Sequence, residues 1–292
     1  MIENSMYNRL EKYYSPCRLC PRQCRAERDK NQPGVCGALK DVKIASYNIH
    51  TGEEPPVSGT CGSGTVFFSG CTLKCVFCQN YPISHLFNGK FYSIEELATI
   101  FLELQGRGAH NINLVTATPY LYHFAQALSL ARKEGLSIPI VYNTSGYERL
   151  EIIKSLSHLI DVYMPDLKYV DDDIARKYTG VSNYFEYAYP AVVEMFNQVG
   201  ELQCDDHGIA RKGVILRHLI LPGNMENSKK VLRTIAESPF KASHLSLMSQ
   251  YFPAYQASQH GEINRRLFLE EYREVKEYAL GLGFSRGWFQ DM

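Results

Sequence analysis

Hydrophobic residues after position 64 occur in short runs that alternate with longer amphipathic stretches. The runs occupy residues 65–68, 112–115, 138–142, 159–164, 213–220 and 244–248. Each run is short, apolar and rich in β-prone residues, which is typical of a strand buried on both faces. Alternation of such strands with helices predicts repeated βα units around a parallel sheet.

Helical signals lie between these strands. Ser93-Ile-Glu-Glu96 has the capping-box pattern that begins a helix, and residues 120–134 form a helical run that ends at Gly135, which favours a left-handed cap. Further helical patterns cover residues 148–157, 188–199, 228–236 and 270–280. Six strands make most of a barrel, so we predict an α/β fold, specifically a partial (βα)6 TIM-type barrel.

The segment before this pattern has a different character. It is rich in proline and glycine, shows no periodicity and contains Cys17, Cys20, Cys24 and Cys36, with residues 53–60 as the link to the first strand. We therefore expect two domains, a cysteine-rich metal-binding N-terminal extension over residues 1–60 and the barrel over residues 61–292.

Composition narrows the range of partners. The 292 residues are 45% hydrophobic, which suffices for a large core, and the 31 basic and 31 acidic side chains cancel. A neutral chain lacks the positive charge that grips a phosphate backbone, so we expect no nucleic-acid partner. The sequence contains neither a run of about 18 apolar residues nor a basic and apolar leader, so we expect a cytoplasmic protein without membrane contact.

Cys71, Cys75 and Cys78 form a Cys-x3-Cys-x2-Cys loop directly after the first predicted strand. In a βα barrel, functional residues gather on the loops after the carboxyl ends of the strands. Three thiolates would leave one iron of a cubane cluster open for a ligand, whereas four would close it. The spacing indicates a reactive iron–sulfur site. A zinc site is the alternative, and it would need His85 or Cys61 as its fourth ligand.

The loop and its surroundings carry a resemblance to a known family. The stretch from Gly64-Thr-Val-Phe-Phe-Ser-Gly-Cys71 through Cys78-Gln-Asn-Tyr-Pro-Ile-Ser84 resembles the signature of the radical S-adenosylmethionine (SAM) superfamily, in its pyruvate formate-lyase activating-enzyme-like branch. The similarity continues at residues 141–147, 164–168, 217–223 and 249–253. It thus covers nearly the whole predicted barrel.

The resemblance implies a [4Fe–4S] cluster on Cys71, Cys75 and Cys78, with SAM completing the open iron. It implies reductive cleavage of SAM to methionine and a 5′-deoxyadenosyl radical, which abstracts a hydrogen atom from the substrate. The implied electron donor is a flavodoxin or ferredoxin. The implied target is a glycyl-radical enzyme, although another protein or a small molecule could replace it.

The same resemblance assigns roles to residues around the loop. Phe77 matches the aromatic that stacks near adenine, and its structural alternative is packing at the barrel mouth. Asn143, Thr144 and Ser145 follow the third strand and match the region that contacts the ribose, for which hydroxyl and amide groups are suitable.

Charged residues follow the next two strands. Asp166 and Lys168 match a pattern that lies near the methionine carboxylate in activating enzymes, where Lys168 could neutralise that group and Asp166 could orient the lysine or hold a cation. Arg217 is a candidate clamp for a carboxylate or for the substrate, because its planar fork binds bidentately. A structural salt bridge is the alternative for all three residues.

The sequence departs from the family after the second strand. The family often has a Gly-Gly-Glu-type turn there that binds the methionine amino group, whereas this chain reads Val115-Thr-Ala-Thr-Pro119. Thr116 and Thr118 are the candidate ligands for that amino group, but neither supplies a carboxylate. Capping of the next helix by Thr118 is the alternative.

The N-terminal cysteines at positions 17, 20, 24 and 36 are enough to close a tetrahedral zinc site or a second cluster. Because their spacing does not match a two-cluster ferredoxin insert, a structural metal is the favoured interpretation. Cys61 and Cys204 remain unassigned, and His218 is the one histidine with a candidate role at the barrel mouth. The rival function is a non-catalytic iron–sulfur or zinc protein for electron relay or scaffolding, which would recruit Cys61 to close the site.

Overall fold

Ten strands form one mixed sheet in the computed structural model, which describes residues 8–290. The strands are β1 (Val42–His50), β2 (Ser63–Phe68), β3 (Lys90–Tyr92), β4 (Ile112–Val115), β5 (Ile140–Thr144), β6 (Val162–Pro165), β7 (Gln203–Cys204), β8 (Ala210–Leu219), β9 (His244–Met248) and β10 (Gly287–Phe289). Their order is β10-β9-β8-β6-β5-β4-β2-β1-β3, and β7 pairs with β8 outside that path.

The six predicted strands form a continuous parallel array. β2, β4, β5, β6, β8 and β9 are each hydrogen-bonded in parallel to the next, and β10 continues the array beyond β9. The additional strands β1, β3 and β7 are antiparallel to their neighbours. Since β3 and β10 end the order without pairing to each other, the barrel is partial, and the predicted α/β fold class is confirmed.

Ten α-helices accompany the sheet within residues 8–290. They are α1 (Glu11–Tyr14), α2 (Pro55–Ser58), α3 (Tyr81–Ser84), α4 (Ile94–Gly106), α5 (Leu121–Lys133), α6 (Leu150–Ser155), α7 (Asp172–Thr179), α8 (Tyr184–Val199), α9 (Met225–Ala236) and α10 (Leu269–Gly281). Short 3₁₀ segments cover Asn8–Leu10, Arg28–Lys30, Thr118–Tyr120, Ala257–Gln259 and Gly261–Ile263. No helix in this part of the chain is long and apolar enough to cross a membrane.

Local signals account for the start of two helices. The capping box of α4 is formed, because the Glu96 N–H donates to Ser93 Oγ at 3.2 Å and the Ser93 N–H donates to Glu96 Oε2 at 2.7 Å. α7 was not predicted, and Asp171 caps it by accepting from the N–H groups of Asp173 and Ile174. α8 begins at Tyr184, four residues before the predicted start at 188, because burial of the Tyr184 ring anchors its first turn.

Strand alternation divides the apolar core into two clusters. Residues such as Leu114, Tyr142 and Leu216 face the outer helices, while the residues between them in sequence face the barrel interior. The bottom of the interior is apolar and contains Val57, Val141, Val162, Met164, Ala210 and Ile215. Because Val57 lies on α2, this short helix closes the lower end of the barrel.

The N-terminal segment packs on the loops at the carboxyl edge of the sheet. Arg22 donates to the carbonyl oxygens of Thr72, Leu73 and Thr179 at 2.7 to 3.3 Å, and the buried Arg28 donates to the carbonyl of Pro119. Strand β1 precedes residue 61 and pairs with β2. The segment therefore contributes a strand to the sheet, and the domain boundary at residue 60 stays a prediction.

The contacts of Glu271 on α10 make the stability of the fold dependent on pH. Its carboxylate accepts from the Arg265 guanidinium at 2.7 Å and from the backbone N–H groups of Gly223 and Phe268 at 2.9 Å. The hydrogen bond from Arg265 is the largest of the effects that lower the pKa of Glu271 to about 2. A carboxyl with a lowered folded-state pKa stabilises the fold above its unfolded pKa of about 4.3, and this stabilisation is lost as pH falls toward 2.

We expect Glu271→Gln to lower the free energy of unfolding by about 1 to 3 kcal/mol at pH 7. The difference from the wild type should shrink as pH falls below about 4.3. Urea unfolding at pH 7, 5, 4 and 3 measures it, with Glu270→Gln, the exposed neighbour, as the matched control. Equal losses in the two variants, or a difference that does not change with pH, would contradict the assigned role of Glu271.

Candidate active site

The loop after β2 brings three thiols to one cavity. Cys71, Cys75 and Cys78 all line a cavity of about 240 Å³ at the carboxyl edge of the sheet. The loop is held by backbone hydrogen bonds from Val76 N–H to the Tyr178 carbonyl and from Gln256 N–H to the Val76 carbonyl, both 2.9 Å long. Its path is thus fixed by segments from distant parts of the chain.

Most of the predicted cofactor residues line the same cavity. They come from the ends of four different strands and from the loop itself, and they are Phe77, Thr116, Asn143, Thr144, Ser145, Asp166, Lys168 and Arg217. Parallel strands bring their carboxyl ends to one edge, which explains how residues about 150 positions apart meet here. Whether they bind SAM stays a prediction.

Thr118 lies elsewhere. Its buried hydroxyl donates to Glu148 Oε1 at 2.6 Å and lies 3.0 Å from the Tyr142 hydroxyl, whereas Thr116 lines the cavity with a positive φ of 61°. Thr118 has no N-capping hydrogen bond to the following helix either. Its observed role is to support a buried carboxylate.

That carboxylate, Glu148, was missed by the sequence analysis. It is fully buried, and its Oε1 accepts from the hydroxyls of Thr118, Tyr142 and Thr144 at 2.5 to 2.9 Å. Burial raises the pKa of Glu148 to about 7, although the three hydroxyls oppose the shift. Nothing in the sequence around position 148 distinguishes this glutamate from an exposed one at the start of a helix.

Asp166, Lys168 and Arg217 form an ion network at the cavity floor. Asp166 Oδ2 lies 2.5 Å from Lys168 Nζ, and Asp166 Oδ1 lies 2.9 Å from Arg217 Nε. Arg217 Nη2 donates to Asn143 Oδ1 at 2.8 Å. Burial opposes ionisation of Asp166, but the two cations hold the pKa of this carboxyl below its usual value. The salt bridges considered as an alternative are therefore present, in residues that also line the cavity.

The thiols lie in surroundings that suit ligation. Burial raises the pKa of both Cys71 and Cys75. Ser84 Oγ donates to Cys78 Sγ at 3.2 Å. A bound metal deprotonates a coordinating thiol outright and so compensates for a raised pKa. Soft sulfur donors of this kind select zinc or iron–sulfur clusters.

Aromatic side chains position parts of the site. The Phe77 ring meets the rings of Tyr178 and Tyr251 edge-on, with centroid distances of 6.0 and 5.7 Å. The buried Tyr184 hydroxyl accepts from Lys168 N–H at 3.0 Å and lies within 2.9 Å of the carbonyl oxygens of Ser145 and Asp166. Tyr184 therefore ties the loops after β5 and β6 together, a role that its sequence neighbourhood did not indicate.

The N-terminal cysteines form a second group close to the loop. Cys17, Cys20 and Cys36 are buried and Cys24 is half-buried. A hydrogen bond with the Cys17 thiol lowers the pKa of Cys24 to about 5, and Arg28 Nη2 lies 3.5 Å from Cys36 Sγ. Within residues 8–290, no three His, Cys, Asp or Glu side chains are placed to hold a single metal ion as they stand.

The two groups meet at Gly70, which precedes the cysteine loop. Gly70 has a φ of +87°, and a Cβ there would lie 2.3 Å from the backbone carbonyl oxygen of Cys36. Only glycine allows this close approach. The backbone carrying the N-terminal cysteines therefore touches the backbone of the cysteine loop.

Other residues considered from the sequence do not line the cavity. Cys61 is exposed just before β2, whose six residues span about 20 Å at about 3.3 Å per residue, so it is at the opposite end of that strand. Cys204 is exposed on β7. His218 lies on the outer face of β8, where its ring bonds to the Leu167 carbonyl and to Ser228 Oγ. The His85 ring is tilted by 44° against Tyr255, with ring centroids 4.3 Å apart, and its Nδ1 lies 2.9 Å from Ser84 Oγ, the group that donates to Cys78 Sγ.

Known proteins share this sequence pattern. The chain is 28% identical over 275 residues to an uncharacterized protein of Methanocaldococcus jannaschii, which covers 91% of this chain and 75% of that protein. It is 27% identical over 128 residues to pyruvate formate-lyase 1-activating enzyme of Escherichia coli (strain K12), covering 40% of this chain and 50% of the enzyme. It is 26% identical over 176 residues to the pyruvate formate-lyase-activating enzyme of Clostridium pasteurianum, covering 59% of this chain and 66% of that enzyme.

Among solved structures, methylornithine synthase superposes with a TM-score of 0.48 and 18% identity over 72% of this chain and 59% of that chain. The sequence model of the Radical SAM superfamily matches residues 65–235, a range that begins in β2 and ends in α9 and includes all three cysteines of the loop. This match spans more than half of the chain and agrees with the resemblance found in the sequence. The chain therefore belongs to the radical SAM superfamily.

Proposed function

We propose that this chain reductively cleaves SAM at a [4Fe–4S] cluster bound by Cys71, Cys75 and Cys78, and uses the resulting radical for hydrogen abstraction. The observation that carries the proposal is that three thiols of one loop share a cavity with polar groups from several strand ends. Membership of the radical SAM superfamily supports radical chemistry on SAM as the class of reaction. The finer assignments below rest on the placement of individual residues.

Three thiols are the appropriate number for a cluster with one open iron. Cys61, the nearest further cysteine in sequence, lies before β2, whereas the loop follows that strand. The cavity lining found within residues 8–290 contains three cysteines, namely those of the loop. This arrangement supports a reactive cluster over the closed cluster that an electron relay requires.

The remaining lining groups fit the parts of SAM. We assign Lys168, held by Asp166, to the methionine carboxylate, and Thr116 to the amino group. Asn143, Thr144 and Ser145 follow β5 and offer amide and hydroxyl groups to the ribose diol. Phe77, fixed edge-on by two tyrosines, presents an apolar ring for the adenine.

When bound, the reduced cluster and SAM supply a one-electron cleavage of the sulfonium that yields methionine and a 5′-deoxyadenosyl radical. The chain's own residues hold the cofactor and exclude water. Phe77 and Tyr251 are buried at the cavity wall, and Lys168 and Arg217 together hold the pKa of Asp166 below its usual value. These groups shape the cavity in which the reaction would take place.

The similarity to two pyruvate formate-lyase activating enzymes supports a glycyl-radical enzyme as the proposed target, with a flavodoxin or ferredoxin as the proposed electron donor. The chain spans about half of the E. coli enzyme. The M. jannaschii relative, which matches 91% of this chain, carries no activity in its name. Another protein or a small molecule is therefore retained as an alternative target.

We propose further that Cys17, Cys20, Cys24 and Cys36 hold a structural metal, zinc in preference to a second cluster, in an extension over residues 1–60. Four thiols are enough to close such a site. Arg28, buried among them, supplies a positive charge that balances part of the thiolate charge. The metal would fix the segment that packs on the cysteine loop.

Cleavage of SAM is the direct test of the main proposal. The protein is reconstituted with iron and sulfide without oxygen, mixed with dithionite and SAM, and assayed for 5′-deoxyadenosine by mass spectrometry. We expect the nucleoside from the wild type and none above background from Cys75→Ala, which lacks one of the three thiolates. Cys61→Ser and Cys204→Ser, which alter exposed cysteines away from the cavity, should match the wild type.

Two outcomes would overturn this assignment. A protein with full iron and sulfide that yields no nucleoside, even with candidate target proteins present, would favour electron relay. Loss of the cluster in Cys61→Ser would show that a fourth thiolate closes it. If cleavage is seen, a persistent protein radical in a glycyl-radical partner, detected by electron paramagnetic resonance, tests the proposed target.

The N-terminal metal is tested by elemental analysis of the anaerobically purified chain. We expect about one zinc per chain in addition to the four irons of the loop cluster. Cys20→Ser should lose that zinc and about 3 kcal/mol or more of unfolding free energy, because a structural metal contributes directly to folding. Cys204→Ser should keep both. About eight irons per chain and no zinc would indicate a second cluster instead.

A further inference from the structure

The barrel interior contains a polar layer between its apolar bottom and the cofactor cavity. Asn113 on β4, Asn143 on β5, Arg217 on β8 and Ser246 on β9 contribute to this layer, and each alternates in sequence with residues of the outer core. Branched aliphatic side chains usually fill the interior of such barrels. A layer of amides and a guanidinium costs free energy to bury, so it indicates a binding function.

Two glutamates complete this layer. Glu53 and Glu54 lie in the segment between β1 and α2 and line a cavity of about 530 Å³ together with Arg217, Ser246 and Trp288. Asn113 Nδ2 donates to Glu53 Oε1 at 3.0 Å. The sequence marks this segment only as a link to the first strand. In the fold it carries two carboxylates into the interior.

Two acceptors in this layer lack a donor. Glu54 Oε2 and Asn113 Oδ1 are buried without a hydrogen-bond partner in the described part of the chain. Arg217 Nη1 lies 4.0 Å from Glu54 Oε2 and 3.6 Å from Glu53 Oε2, which is too far for a hydrogen bond. Glu54 is only 8% exposed. An unsatisfied buried acceptor destabilises the protein, so a ligand that brings donors would be favoured here.

The charged side chains around the cavity indicate that this ligand is positively charged. Glu53, Glu54 and Asp166 supply three carboxyl groups around this interior, whereas Lys168 and Arg217 supply two cations. Burial raises the pKa of Glu53, and the neighbouring Glu54 adds to this shift while Arg217 opposes it. A cationic donor would satisfy the open acceptors and balance the excess negative charge.

The cavity is connected to the proposed cofactor site. Arg217, Met248 and Gln250 line both this cavity and the one that contains the three cysteines. A group bound at Glu54 would therefore lie directly beside the proposed SAM site. The segment from Gly52 to Pro55 and strand β10 both line the cavity at Glu53 and Glu54.

We propose that the cavity at Glu53 and Glu54 binds the cationic amine of the substrate, an alkylammonium group, and so presents a neighbouring C–H bond to the cofactor cavity. This inference rests on the proposed function for its catalytic meaning. The hydrogen atom passes from the substrate carbon to the 5′-deoxyadenosyl radical, leaving 5′-deoxyadenosine and a substrate radical. The ammonium itself is unchanged and serves only to position the carbon.

The chain contains an internal reporter for this cavity. Trp288 is its single tryptophan and lines the cavity, so its fluorescence reports occupancy independently of catalysis. The full-length protein is titrated with n-butylammonium, n-butanol and butyrate, which share a chain length and differ in charge. We expect a saturable change with the ammonium and at least tenfold weaker responses with the other two. Acetyl-Gly-Lys-Gly-amide, run in parallel, distinguishes a protein lysine from a small amine as the source of the cation.

A pair of matched variants tests whether n-butylammonium binds in the cavity at Glu53 and Glu54. Glu54→Gln should weaken n-butylammonium binding at least tenfold, whereas Glu277→Gln, which removes an exposed glutamate on α10, should leave it unchanged. Thermal unfolding checks that both variants fold. If Glu54→Gln fails to fold, the comparison of the three probes on the wild type still decides the question.

Several results would overturn the inference. They are tighter binding of butyrate than of the ammonium, equal binding of all three probes, or no response to the ammonium or the lysine peptide in a protein that cleaves SAM. Amine binding that depends on Glu54 in a protein that does not cleave SAM would leave this inference standing and refute the proposed function. The two can therefore fail separately.

Discussion

The positive charge of a guanidinium buried inside a β-barrel must be balanced by negative charges or hydrogen-bond acceptors. In this protein, the groups that balance the charge of Arg217 organise the barrel interior. The three nitrogens of this guanidinium face Asp166 after β6, Asn143 on β5 and the two glutamates before α2. Removing any one partner would leave charge uncompensated in a medium where that is costly. One side chain on β8 thus links the loop that carries Lys168, the third strand of the parallel array and the segment that enters the barrel from its open side.

The N-terminal segment adds a second constraint, on the cysteine loop itself. Arg22 binds two carbonyl groups within that loop, and Cys36 touches Gly70 immediately before it. The contact between Cys36 and Gly70 is made through the backbone, whereas Arg22 reaches the loop carbonyls through its guanidinium, so both the path of the chain and this one side chain hold the loop. The geometry of the loop is therefore coupled to the folding of the N-terminal cysteine segment.

Much of this architecture follows from local sequence. The six parallel strands were predicted because each is a short apolar run, and Ser93 marks the start of α4 through a capping box. β3, β7 and β10 are two or three residues long, too short to carry a pattern, and they form because neighbouring strands offer free hydrogen-bonding groups. β1 alternates in burial along its first residues, but its location in a cysteine-rich segment obscured the signal.

The candidate site likewise contains residues that local sequence predicts and residues that it does not. The cysteines and the residues after β5 and β6 are recognisable from motif and position, because carboxyl ends of parallel strands converge. Glu54, Glu148 and Tyr184 were not recognised, since each resembles an ordinary surface or core residue in sequence. Their roles arise from burial beside groups that are distant along the chain, and no local pattern records which glutamate will be buried.

The sheet ends at β3 on one side and β10 on the other, and these two strands do not pair. A closed barrel has a diameter fixed by its strand number and shear, but an open sheet has no such closure condition. Its two margins can therefore separate through a change in curvature without breaking any strand pairing. Such a change at the margins of the sheet would cost no backbone hydrogen bonds between strands.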